Sequence, residues 1–280
     1  MLDGANAGRA IVARTGRTWR CAWHSFCVAF RGGVVVSNGL FRVQHHSLLD
    51  STNDAAKRLA DQRCMHGTVV WADEQTGGHG RFGRPWHSPP GNLLVSVVLR
   101  PSTPAPRVAE LGFVAAVAVA ACVAESLPRD GGVGLKWPND VQVDGAKIAG
   151  ILPEARSVGA VLSWVVLGVG LNLAHAPAGM PYPVTSLAAY GATVRPEQGL
   201  QMFLAHLEHW LRRWETEGFG PVRAAWLAHA RGLGGAVTVQ VGDRREHGVF
   251  HGLDPDGAML LGTTEGLRRI TAGEVAFGPS

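Results

Sequence analysis

Between Gln75 and Trp86 the chain reads Gln-Thr-Gly-Gly-His-Gly-Arg-Phe-Gly-Arg-Pro-Trp, and residues 78–83 satisfy the spacing Gly-x-Gly-x-x-Gly. In a dinucleotide-binding fold that spacing opens a helix at its third glycine and is followed, about 20 residues on, by an acidic side chain. Here the third glycine runs into Arg84-Pro-Trp-His-Ser-Pro-Pro-Gly91. Prolines at 85, 89 and 90 leave no helix interior. The dinucleotide architecture is excluded, and so is a P-loop, because no Gly-Lys-Ser/Thr follows. What remains is an irregular glycine loop carrying Arg81, Arg84 and Trp86. Glycine lets backbone approach a ligand, arginine presents a rigid fork of donors to carboxylate or phosphate, and an indole offers a flat surface to a ring. The combination favours an anion-binding loop over a solvated surface loop.

The flanking pattern is α+β. Phe41–His46 alternates as a strand, and Asp50-Ser-Thr-Asn-Asp54 supplies N-cap residues for a helix over Ala55–Gln62. Strands are expected at Thr68–Ala72 and Asn92–Leu99, then a long apolar helix at Val108–Leu127 closed by Pro128 and Gly131-Gly132. Its apolar run, Leu111–Ala124, falls short of the roughly 20 residues that span a bilayer and reads as a buried helix. Val133–Lys136 and Val141–Val143 follow, and Asp144-Gly145 is a two-residue hairpin signal that returns the chain through Lys147–Leu152. Val161–Leu173 is an apolar strand. Leu200–Glu217 is an amphipathic helix with Phe203, Leu207, Trp210 and Trp214 on one face. Past Gly234-Gly235, short strands at Val237–Val241, Glu246–Leu253, Ala258–Leu261 and Leu267–Ile270 predict a small barrel-like β domain. At about 45 residues it is too small for a comfortable core of its own, so it is expected to pack on the rest.

Charge and cysteines narrow the function classes. The formal charge of +4 is placed unevenly: residues 1–42 hold six arginines against Asp3 alone. The remaining 20 basic and 21 acidic residues leave the body near neutral, with no global reason to seek nucleic acid or a membrane surface. Residues 1–40 are therefore expected to be a disordered extension, from an upstream start or a tail rather than a targeting segment. They offer no pattern for a helix-turn-helix. Cys21, Cys27, Cys64 and Cys122 form no CxxC pair and no zinc spacing, which points to a reducing, cytoplasmic setting and to no protein-built metal site.

Two further segments carry polar residues at strand ends. Trp137-Pro-Asn-Asp140 is a turn by its own chemistry, and the tight hairpin behind it should bring Lys147 back beside Asn139 and Asp140. Gly168-Val-Gly-Leu-Asn172 ends an apolar strand, where glycines suggest close approach of backbone or ligand, although for this segment taken alone core packing is the preferred reading.

Ser51-Thr-Asn53, the Gln75–Trp86 loop, Lys136-Trp-Pro-Asn-Asp140, Lys147-Ile-Ala-Gly-Ile-Leu152 and Gly168–Asn172 stand in the order and spacing of biotin–protein ligases. Each motif is weak alone; the ordered set is specific. The chain resembles that family over roughly residues 43–280, in the form lacking an N-terminal DNA-binding domain. The resemblance implies a mixed sheet flanked by helices, the class II synthetase-like biotin/lipoate ligase fold, over residues 41–232. It implies a C-terminal SH3-like β-barrel over 233–280. It also implies the reaction: ATP converts biotin to biotinyl-5'-adenylate, with Mg²⁺, and the biotinyl group passes to a lysine of a biotin carboxyl carrier protein or carboxylase domain. By the same resemblance Ser51, Thr52, Asn53 and Gln75 hold the biotin head group, while His79, Gly80 and Arg81 close over it. Arg81 and Lys147 neutralise the meeting carboxylate and α-phosphate. Arg84, Trp86, Lys136, Asn139 and Asn172 serve ATP, and Asp140 accepts or orients the proton of the carrier amine. The family usually has Arg where this chain has His79. A monomer or homodimer is compatible with all of this. The alternatives are a lipoate–protein ligase of the same fold, a biotin-responsive repressor, and a binding module with a degenerate enzyme domain.

Overall fold

The computed structural model describes residues 35–36, 40–104, 107–128 and 132–277. The extension expected over residues 1–40 lies almost entirely outside that range. A mixed eight-stranded sheet forms the body. Its strands are β1 (Val35–Val36), β2 (Arg42–Leu49), β3 (Thr68–Gln75), β4 (Leu93–Leu99), β5 (Val133–Lys136), β6 (Asp140–Val143), β7 (Ala146–Val158) and β8 (Val161–Leu171). They lie in the order β1-β2-β3-β4-β8-β7-β6-β5, with β2 and β3 parallel and the other neighbours antiparallel.

Helices cover both faces, which is why the central strands read as continuous apolar runs rather than alternating ones. Helix α1 (Thr52–Asp61) lies on one face, and α2 (Val108–Ser126) and α3 (Pro196–Glu217) build the other. The two-residue period of β3 divides its side chains accordingly: Val69 and Trp71 join the large core under α2, whereas Val70 packs with Ala56 and Ala60 of α1. On β4, Leu93, Val95, Val97 and Leu99 join the α2 core, while Ser96 meets α1. That one polar residue in a buried strand bonds Thr52 and Asn53 at the start of α1.

Helix α2 is apolar and long enough to cross a membrane by composition, but its residues from Leu111 to Ala120 are nearly all buried in this core. Burying each Val, Leu or Phe there contributes about 1.5–3 kcal/mol. Cys122 lies on the same helix, and burial pushes its thiol up to about 12. Helix α4 (Phe219–Ala228) was not expected. It accommodates Pro221 because proline is well tolerated in a first helical turn.

The C-terminal strands are β9 (Ala236–Val241), β10 (Arg244–Leu253), β11 (Met259–Thr263), β12 (Gly266–Ile270) and β13 (Glu274–Phe277). They form one antiparallel sheet in the order β12-β11-β10-β9-β13. Among the described residues β12 and β13 lie at the two ends of this ladder, with no pairing between them that closes it. The expectation that this unit leans on the body holds. Val239, Phe250 and Leu261 share one core with the α2 side of the main sheet. Phe113 of α2 is packed edge-on against Trp226, with centroids 5.4 Å apart. A Cβ on Gly257 would stand 2.6 Å from the Phe113 ring.

Candidate functional site

A cavity of about 540 Å³ opens where β7 and β8 meet the glycine loop, the β5–β6 turn and β13. That is the size range of small-molecule sites. At one end stands the start of α1. Ser51 caps the helix by accepting from Asp54 N–H, and Thr52 N–H donates to Gln75 Oε1 at 2.7 Å. Gln75 Nε2 in turn donates to Ser88 Oγ at 2.9 Å. Ser96 Oγ lies 2.6 Å from Asn53 Oδ1 and 2.9 Å from Thr52 Oγ1. Asn53 Nδ2 donates to Glu154 Oε2 at 2.7 Å. Ser51, Thr52 and Asn53 are all buried, so each rotamer is set by its neighbours and the polar wall is formed before any ligand arrives.

The floor is glycine. Gly168 and Gly170 of β8 point the same way, and Gly170 lies opposite Gly150 of β7. The Trp86 indole lies against this pair: a Cβ on Gly170 would come within 2.3 Å of its Cε2, and one on Gly150 within 3.0 Å of its Cζ3. Trp86 Nε1 is buried on this floor without a hydrogen-bond partner. An orphaned donor in a cavity wall is a position where a ligand acceptor adds stability.

At the other end the hairpin does what its sequence requires. Asp144 and Gly145 take positive φ values of 50° and 87°, as a two-residue turn needs. Lys147 Nζ then stands 2.7 Å from Asp140 Oδ1, 5.5 Å over the Trp86 ring and 5.8 Å over Tyr182. Asn139 reaches the wall with its Nδ2 donating to Ile151 O at 2.9 Å. Lys136 stands 5.6 Å over the Phe277 ring, and burial lowers its pKa.

Loop residues His79, Gly80, Arg81 and Arg84 line the cavity from above. Arg81 Nη1 donates to Gly273 O at 3.0 Å, and burial draws its pKa down. Arg84 pairs with Glu274 at 2.5 Å, which raises its pKa. The loop is thus tied to the C-terminal sheet at two points. Arg81, Arg84, Lys136 and Lys147 face the cavity against Asp140 and Glu274. An excess of cations at low dielectric suits a polyanion: one unit charge pair at 4 Å interacts by about 4 kcal/mol at an effective dielectric constant of 20.

One expected residue is placed elsewhere. Asn172 is not on the cavity wall. It is buried, donating from Nδ2 to Thr185 O at 3.0 Å, and its N–H binds Ile148 O. Its role in this structure is to hold the 183–187 segment to the sheet. Sequence reasoning did not single out Tyr182 and Glu274, which line the cavity, nor Ser88, Ser96 and Glu154, which are not on its wall but bond Gln75 and Asn53. Only Ser96, a lone hydroxyl in Leu-Leu-Val-Ser-Val-Val-Leu, carried a signal. Among the described residues no cluster of three or more His, Cys, Asp or Glu side chains is arranged to hold a metal ion.

Comparison with known proteins gives the following. Residues 46–172 match the Biotin/lipoate A/B protein ligase family, and residues 232–278 match the Biotin protein ligase C terminal domain. A biotin--[acetyl-CoA-carboxylase] ligase of Paracoccus denitrificans is 39% identical over 236 residues, covering 82% of this chain and 98% of its own. A bifunctional ligase/repressor of Bacillus subtilis is 33% identical over 84% of this chain and 73% of its own. Among solved structures, a biotin protein ligase from Aquifex aeolicus in complex with biotin and ATP superposes with a TM-score of 0.71 at 26% identity, covering 84% of this chain and 97% of that one.

Proposed function

Since the chain belongs to the biotin/lipoate A/B protein ligase family, we propose that its cavity is the place where biotin and ATP meet. The protein is a ligase that activates biotin with ATP and transfers it to the carrier protein of a carboxylase. The observation that carries the site assignment is the Lys147–Asp140 contact of 2.7 Å, held under Trp86 in a cation-rich cavity. An ammonium there is aimed at the point where two anions approach.

In this reading Ser51, Thr52, Asn53 and Gln75 take the polar head of biotin, because their network is preset and buried. His79, Gly80 and Arg81 close over it. The carboxylate tail points from this wall toward Lys147. Arg84, Trp86, Lys136 and Asn139 receive the nucleotide. Asn172 supports that end from behind rather than touching it.

A biotin carboxylate oxygen attacks the α-phosphorus, forming an acyl–phosphate bond as the α–β phosphoanhydride breaks and pyrophosphate leaves. Arg81 and Lys147 offset the charge that accumulates. A lysine amine of the carrier then attacks the acyl carbon, an amide forms and AMP leaves. Asp140 holds or takes the proton that the amine gives up. Mg²⁺ is assigned to the phosphates: that ion favours phosphate oxygens, water and one or two carboxylates, and Asp140 and Glu274 are the carboxylates on this wall. When bound, it supplies charge neutralisation to the polyphosphate.

The unpaired thiols Cys64 and Cys122 suit a reducing, cytoplasmic setting. The reading takes the carrier as the macromolecular partner, without nucleic acid or membrane, and a monomer or homodimer as the working unit. Incubation with biotin, α-labelled ATP and Mg²⁺ tests it, with lipoate as competitor. The expected product is biotinyl-5'-adenylate, chased onto a carrier domain. Preferential adenylation of lipoate, or no biotin-dependent pyrophosphate release, overturns it.

A further inference from the structure

Two aromatic rings flank the Lys147 ammonium, Trp86 at 5.5 Å and Tyr182 at 5.8 Å. They hang from segments far apart in the chain. Trp86 opens the run Trp-His-Ser-Pro-Pro-Gly-Asn92, in which Pro89 and Pro90 fix φ. Tyr182 stands on a largely exposed arch, residues 175–183, between feet at 172–173 and 185–186 that are buried. The far foot is tied to Lys147 itself: Lys147 N–H donates to Pro183 O at 2.9 Å, and Thr185 N–H donates to Lys147 O at 2.8 Å. Asn172 Nδ2 holds the same foot through Thr185 O.

The near foot is tied to the end of the Trp86 run. Asn92 is 1% exposed, and its Oδ1 accepts from the N–H groups of Leu173, Ala174 and His175 at 3.1, 3.0 and 3.0 Å. Its Nδ2 donates to His175 O at 2.9 Å. Gly91 lets the two segments come this close, with φ at 95° and a Cβ that would stand 3.2 Å from Ala174 Cβ. Three consecutive N–H groups turned on one point form a concave donor site, and here an amide oxygen fills it. Without that oxygen the foot must turn differently or admit water. We infer that Asn92 is a positioning residue for Lys147: it joins the foot of the Tyr182 arch to the Trp86 run, and so sets both rings and the main-chain bonds around the lysine. Asn92 is not on the cavity wall and takes no part in bond making. The consequence for adenylation rests on the proposed function; the tie itself does not.

The test compares the full chain with its Asn92→Ala and Asn92→Asp variants. Aspartate keeps an oxygen for the three N–H groups, which favour its charged form; alanine keeps none. Hydrogen exchange of residues 173–185 without ligand should be at least about tenfold faster in Asn92→Ala and within about threefold of the natural chain in Asn92→Asp. In biotin-dependent pyrophosphate release, Asn92→Ala should lower kcat at least about tenfold and raise the KM for ATP at least about fivefold. Its Kd for biotin should stay within about twofold, because the Thr52–Gln75 and Ser96–Asn53 bonds lie at the other end of the cavity. Asn92→Asp should recover most of the kinetic loss. Asn92→Ser, with its oxygen on a shorter side chain, should fall between the two and carries the test if the alanine chain does not fold. A smaller active fraction with an unchanged KM, an equal fall in biotin affinity, or an Asn92→Asp chain as impaired as Asn92→Ala overturns the positioning role. Faster exchange in Asn92→Ala of a protein that adenylates no biotin supports the tie and counts against the biotin reading.

Discussion

A Cβ placed on Gly168 would stand 2.1 Å from Asn53 Oδ1. The glycine is there because the asparagine is, and Asn53 in turn ties Ser96 and Glu154 into one buried network. Gly168→Ala should displace Asn53 and raise the Kd for biotin at least tenfold, about 1.4 kcal/mol. Overpacking should also cost about 1–3 kcal/mol of stability. Gly220→Ala, on α4 with open space around it, serves as a control and should leave both unchanged or slightly raise stability. Calorimetric titration and thermal unfolding check the pair. An unaltered biotin affinity in Gly168→Ala would remove Asn53 from the head-group site.

Lys147 and Asp140 are assigned to different steps, and single-turnover kinetics can separate them. Lys147→Ala should slow adenylate formation at least tenfold, about 1.4 kcal/mol of barrier, with the fold intact because the side chain rims the cavity. Asp140→Asn should slow transfer from preformed adenylate to the carrier more than it slows adenylation. Equal losses in both steps for Asp140→Asn would mean that it only positions Lys147.

Arg81 fastens the loop to Gly273 O and faces the ligand cavity. Replacing it by Gly removes both a tether and a charge, so the adenylate should escape before transfer. The expected sign is biotin on lysines of bystander proteins, seen by mass spectrometry of a mixture containing serum albumin. Labelling confined to the carrier would show that the loop does not retain the intermediate through Arg81.

Local chemistry made some of this site legible and chain separation hid the rest. Asp144-Gly145 dictates a tight turn, so the proximity of Lys147 to Asp140 follows from a few consecutive residues. The glycine loop was readable because prolines forbid its alternative. By contrast, Glu154 meets Asn53 across 101 residues and Ser96 meets it across 43. No local period encodes such contacts. Asn172 is ambiguous for a related reason: a polar residue at a strand end suits a ligand and suits a neighbouring carbonyl equally well, and here its Nδ2 donates to Thr185 O. The C-terminal strands were visible from their spacing, but not that their side chains complete the α2 core. That depends on how Phe113, Trp226 and Phe250 meet edge-on.

The two ends of the cavity should be separable by glycines two residues apart on one strand. The three atoms nearest to a Cβ on Gly170 all belong to Trp86, with Cε2 at 2.3 Å and Nε1 at 2.4 Å. Gly170→Ala must therefore push the indole off the floor, while the Thr52–Gln75 and Ser96–Asn53 bonds stay in place. The KM for ATP in pyrophosphate release should rise at least about fivefold, near 1 kcal/mol, and the Kd for biotin should stay within about twofold, roughly 0.4 kcal/mol. Trp86→Phe in the same background removes ring volume where the added methyl intrudes, so the double variant should lose less than the two single losses combined. Such non-additivity is the mark of direct contact. If the two losses simply add, the indole does not shape the nucleotide end. If biotin affinity falls as far as the ATP parameter, the floor is one continuous site and the division drawn between Gly168 and Gly170 is wrong.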